Sequence, residues 1–257
     1  MEYGAAHRGS ASVYMRMRTI KMLARPTFEI KERVEVVDFF VNGLCIHCHL
    51  AKNELMDFTQ FNHEVEESWK EKDSKLQEEV GQLLEKYPEK HHEDIVDTYS
   101  WELHLNQSKY PGLHRESLVI TIFNFLEHQL NNLCAIFYES IDSKLKLNDL
   151  HGSGVERALL YLTKVVKIDF SKFGYELPII KGLNLVRNLI VHNGGGLPED
   201  PRSKVNKFVQ GSEYLFGVEG GSIKIHPEFI GFFLKVLESF FEKLDLEVQS
   251  YIQSYNG

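Results

Sequence analysis

Apolar positions recur at threes and fours through most of this chain, which predicts a mostly helical protein. Between Phe28 and Leu55 the residues Val34, Val37, Phe40, Val41, Leu44 and Cys48 mark one helix after Pro26. From Phe58 to Tyr87 a second stripe runs through Phe61, Val65, Trp69, Leu76, Val80 and Leu83, with Glu–Lys-rich stretches between. The economical reading is a pair of long antiparallel helices, the second ended by Pro88. The charge run Glu64–Lys75 then reads as a solvated helix face. Residues 89–114 read as a connection with a short helix.

Further on, Glu116–Tyr138 predicts a strong helix on Leu118, Ile122, Phe125, Leu126, Leu130, Leu133 and Phe137. Gly152–Phe170 predicts another on Val155, Leu159, Leu162 and Val166. Pro178–Val191 follows, started by Pro178 and stopped by Gly194, Gly195, Gly196 and Pro198. The period then changes. Ser212–Val218 and Ser222–His226, joined across Gly220-Gly221, predict a hairpin. Glu228–Ile252 closes as a long helix whose Phe229, Phe232, Phe233, Phe240 and Phe241 suit a bundle core. The organisation expected is an N-terminal arm over 1–27, a helical extension over 28–111 and a four-helix bundle with an inserted hairpin over 112–257.

Composition narrows the setting. A net charge of −8 excludes bulk electrostatic coating of nucleic acid but allows a local basic site. Three cysteines, at 45, 48 and 134, make no disulfide framework, so a reducing cytoplasm is expected. No stretch approaches the roughly eighteen apolar residues of a membrane span. There is no P-loop, dinucleotide fingerprint or nucleophile elbow.

The segment Arg187-Asn188-Leu189-Ile190-Val191-His192-Asn193-Gly194-Gly195 concentrates the chemistry. Arginine is a permanently charged, bidentate clamp for phosphate oxygens and can stabilise a pentacoordinate transition state. Histidine can take a proton from a ribose 2′-hydroxyl, or give one to the leaving oxygen, near neutral pH. RNA carries its own nucleophile, so this set requires neither metal nor cofactor. On a strict helix Arg187 and His192 point about 140° apart. The glycines are expected to let His192 swing back toward Arg187. Asn188 can hydrogen-bond either partner or the backbone, and Asn193 supports the turn. Lys181, Arg202, Lys204 and Lys207 flank the segment and are candidates for an RNA backbone, or simply solvated charges.

This stretch resembles the signature of the HEPN superfamily, in which Arg, a polar residue and three to five further residues precede His. The run Phe123–Asn131 resembles the acidic first helix of several HEPN groups. The resemblance covers roughly 112–257. It implies an all-α HEPN-like bundle in which Glu127 orients Arg187, and a homodimer whose two motifs face each other. It further implies a metal-independent endoribonuclease of a toxin–antitoxin or anti-phage setting, with an antitoxin or sensor protein as partner. A non-catalytic HEPN-like interaction module is the alternative.

One other cluster, Cys45-Ile46-His47-Cys48-His49, holds four potential metal ligands in five residues. It lacks a second, distant pair, so buried cysteines with flanking histidines are the better reading, and His91-His92 does not fix a geometry for a zinc site.

Overall fold

A computed structural model describes residues 38–141 and 143–255. Helix accounts for 75% of the structure and strand for 3%, so the fold class is all-α. The expected arm over 1–27, and the expected helix from Phe28 as far as residue 37, lie outside the described residues.

Over the described part of 28–87, a run of turns and one helix stand where a pair of helices was expected. Residues Asp38–Ile46 form successive turns, because Asn42 and Gly43 favour one: the Asn42 side chain accepts from the Leu44 amide and Gly43 takes φ +81°. A single helix, α1, then runs His47–Lys86. Met56-Asp57, expected between two helices, contains neither Gly nor Pro, so nothing there breaks the hydrogen-bond ladder.

The expected connection over 89–114 is also largely helical. Helix α2 (His92–His104) passes through a π turn at Leu105–Lys109 into α3 (Tyr110–Ser140). Pro111 is the cause: it lacks an amide donor and its ring crowds the carbonyl four residues back, and the wider turn accommodates both. The Tyr110 amide accordingly donates to the Leu105 carbonyl, five residues back. The boundary expected at 111/112 therefore falls inside a continuous helical run.

Helix α4 (Gly154–Tyr161) widens into a second π turn, Leu162–Val166, and ends where Lys167 adopts φ +71°. The expected helix to Phe170 thus stops four residues early. Helix α5 covers Glu176–Asn193, and α6, which the periodicity did not suggest, covers Lys204–Gln210. Ser203 caps α6 by accepting from the Asn206 amide. The hairpin is shorter than expected: β1 (Leu215–Phe216) pairs antiparallel with β2 (Lys224–Ile225). Helix α7 (Phe229–Tyr255) closes the fold.

One core holds these elements together. Phe229, Phe233, Leu237, Phe240, Phe241 and Leu244 of α7 meet Phe123, Leu126 and Phe137 of α3, and Leu183 and Val186 of α5. Phe39, Leu44, Cys48 and Leu55 belong to the same core, so the start of α1 is bundle rather than extension. Each such side chain removed from water contributes about 1.5–3 kcal/mol. Beyond Leu55 α1 is held differently. Arg115 on α3 grips Glu66 on α1 through two bonds of 2.6 and 2.7 Å and donates to the Ile225 carbonyl of β2 at 3.2 Å. No described helix is long and apolar enough to cross a membrane.

Candidate functional site

The Arg187-Asn188 pair sits on the polar side of α5, where that helix packs against α3. The buried positions Leu183, Val186, Leu189 and Ile190 fix the rotation of α5 and leave Asn184, Arg187 and Asn188 half-exposed. The Arg187 guanidinium donates through Nη1 to Asn188 Oδ1 at 2.9 Å and through Nη2 to Asn124 Oδ1 on α3 at 3.1 Å. The Asn188 amide continues to Asn184 Oδ1 at 3.4 Å. Arg187 Nε is enclosed and has no hydrogen-bond partner among the described residues. The fork of Arg187 is therefore held by two neutral amides, and no carboxylate among the described residues is bonded to it.

Glu127, which the resemblance assigned to orient Arg187, is not among its hydrogen-bond partners. Its carboxylate lies against Gly154 at the start of α4, where a Cβ on that glycine would come within 3.1 Å of it. Asn124, one turn earlier on α3, occupies the orienting position instead. The run Phe123–Asn131 contains the partner, but an acidic residue is the more obvious counterion for arginine, and no spacing singles out the amide.

His192 does not swing back. Helix α5 continues through Asn193, so His192 keeps helical geometry, exposed, about 140° around the axis from Arg187. It shares a stripe with Asn188 at i,i+4 and with Lys181 eleven residues earlier. No hydrogen bond joins His192 to Arg187 or Asn188 among the described residues. The helix runs two residues past the expected Val191 and turns at the expected glycine stop, Gly194 (φ +57°), where both Gly194 and Gly195 donate to the Leu189 carbonyl. Asn193 is exposed, and its carbonyl accepts from the Gly196 amide at 3.0 Å.

The glycine run serves the hairpin as well as the helix end. Gly195 accepts from the Ile223 amide at 2.9 Å, and Leu197 donates to the Gly221 carbonyl at 2.8 Å. Residues just past His192 are thus laid along the strand that carries β2.

The flanking cations are dispersed. Lys181 is exposed on the His192 stripe of α5. Arg202 pairs with Asp200 at 3.4 Å. Lys204 and Lys207 are exposed on α6, and Lys207 borders a separate cleft with Tyr175, Ile179, Tyr214 and Phe232. Helix α6 is pressed against α5 where Gly182 leaves room for Phe208, whose ring would be 2.0 Å from a Cβ.

The Cys-His segment is structural. Cys48 and Cys134 are buried, and burial pushes both thiols up, that of Cys134 to about 12. His47 bonds the Gln129 carbonyl at 2.9 Å, and burial lowers its pKa below the ordinary 6.5. His49 is exposed and bonds Asn53. His92 bonds the Tyr87 carbonyl. No group of three or more His, Cys, Asp or Glu side chains suited to a metal occurs among the described residues.

Fold and site together define an all-α bundle with an amide-held arginine and an exposed histidine at one helix end. Comparisons of the chain with protein-family models, with curated proteins and with solved structures return no match, so the reading of the site rests on its own geometry.

Proposed function

We propose that the protein is a HEPN-like, metal-independent endoribonuclease, acting as a homodimer with one composite site. The carrying observation is Arg187, whose guanidinium is fixed by Asn124 and Asn188 without a neutralising carboxylate bonded to it among the described residues. Arg115, at the seam of α1 and α3, is by contrast paired with Glu66. An amide-held arginine keeps its charge for an incoming anion.

The chemistry follows from the residues. Arg187 binds the scissile phosphate and stabilises the charge that builds on its non-bridging oxygens. His192 takes the proton from the 2′-hydroxyl, whose oxygen attacks phosphorus, and the 5′-oxygen leaves with a proton from a second group. The products are a 2′,3′-cyclic phosphate and a 5′-hydroxyl end. Arg187 and His192 diverge on one helix, which favours a site where the arginine of one copy meets the histidine of the other. Growth arrest or phage defence, under an antitoxin or sensor protein, is the setting that suits such a nuclease.

The test is complementation between Arg187→Ala and His192→Ala proteins, each inactive alone. Unfolding, mixing and refolding them should restore RNA cleavage, because a mixed dimer can keep one arginine and one histidine in the same site. A mixture as inactive as its components, with native protein active after the same treatment, contradicts the composite site.

A further inference from the structure

Beside Gly194, two residues past His192, opens a cleft of about 670 Å³ between the π turn and the hairpin. Its lining includes Lys109 from the π turn, Arg115 and Glu116 from α3, and Phe216, Lys224 and His226 from the hairpin. Arg115 is committed to Glu66. Neither Lys109 nor Lys224 has an ion-pair partner among the described residues. Glu116 is the one carboxylate of the lining among the described residues, against the ammonium groups of Lys109 and Lys224. In a chain of net charge −8 this cleft is locally cationic.

The hairpin arranges its face for a specific task. In the register of β1 and β2, Leu215 pairs with Ile225 and Phe216 with Lys224. The first pair is buried and packs the hairpin onto the bundle, so the second faces outward as a cross-strand pair. Such neighbours lie about 4.5–5.5 Å apart at Cβ. An exposed ring (49% for Phe216) thus stands beside an ammonium with no carboxylate partner among the described residues. That combination, a stacking platform next to a cation for phosphate, is what single-stranded nucleic acid uses. The Gly195–Ile223 and Leu197–Gly221 bonds hold this pair in fixed relation to the end of α5.

We propose that the cleft is the groove through which single-stranded RNA reaches His192, with a base stacked on Phe216 and phosphates held by Lys224 and Lys109. This rests on the ribonuclease reading for the identity of the strand. It adds a binding site that neither Arg187 nor His192 supplies, and it makes the substrate unpaired.

The test measures binding apart from cleavage, by fluorescence anisotropy of a labelled twelve-nucleotide RNA, 2′-O-methylated throughout and therefore uncleavable. Phe216→Ala should weaken binding about tenfold. Lys109→Ala with Lys224→Ala should flatten the dependence of log affinity on log salt by about 1.4, about 0.7 for each phosphate no longer neutralised. A thermal melt of each variant confirms that it is folded. Native affinity and native salt slope in these folded variants, duplex RNA bound as tightly as the single strand, or no binding by the native protein would each overturn the groove. Cleavage of unmodified RNA separates the two readings. A native protein that binds through the cleft yet cuts nothing leaves the groove standing and removes the nuclease. One that cuts RNA while all these variants bind like native removes the groove alone.

Discussion

Asn124 is the residue that distinguishes a poised arginine from a merely placed one. Its Oδ1 accepts from Arg187 Nη2, so Asn124→Ala should lower the cleavage rate about tenfold or more while leaving the fold intact, since the side chain is exposed. Arg187→Lys should not restore activity, because an ammonium cannot span Asn124, Asn188 and a phosphate at once. His192 is exposed, so His192→Ala should change stability by less than about 0.5 kcal/mol in a denaturant melt. Lys167 gives a stability prediction of the opposite sign. It holds φ +71° at the end of α4, a conformation that strains any residue with a Cβ. Lys167→Gly should therefore stabilise the protein by about 1 kcal/mol, read as a raised melting midpoint.

At the scale of elements, the clamp between α1, α3 and β2 is the point of greatest leverage outside the core. Glu66→Ala strands a mostly buried Arg115 and should cost about 3–5 kcal/mol in equilibrium unfolding. The contact between α1 and α3 at His47 sets a pH dependence. Its folded pKa is lowered by burial, while the unfolded imidazole titrates at its ordinary 6.5. Stability is therefore full above that value and falls as the pH drops toward the folded pKa, where the unfolded chain binds the extra proton. His47→Gln should reduce the loss of melting temperature between about pH 7 and pH 5. The elements themselves were largely legible: α3, α5, α7 and the hairpin follow from spacing and from the glycine stop. What was not legible has local causes. The continuity of α1 across Met56-Asp57 rests on the absence of a breaker, and Cys48, Ala51, Leu55 and Phe58 keep the helical spacing across it. The π turn before Pro111 and the stop at Lys167 depend on backbone adjustments that periodicity does not carry. Helix α6 is only seven residues long, too short for its spacing to stand out.

For the whole molecule, the sequence placed Arg187, Asn188 and His192 near one helix end but could not supply their directions. Those depend on which face of α5 is buried, and that is decided by packing against α3 and α7. The result is a site whose two chemical groups diverge within one copy, and a cationic cleft whose residues, Lys109, Phe216 and Lys224, are distant in sequence from the motif. The charges near the motif in sequence, Arg202, Lys204 and Lys207, lie elsewhere than this cleft. The central claim is that Arg187 and His192 cut RNA using its own 2′-hydroxyl. The most direct measurement is cleavage of single-stranded RNA in EDTA by the native protein, Arg187→Ala and His192→Ala, with the product ends identified. Cleavage by the native protein alone, leaving 2′,3′-cyclic phosphate and 5′-hydroxyl ends, is the expected result. Undiminished cleavage by either variant, or 3′-hydroxyl and 5′-phosphate ends, would contradict it.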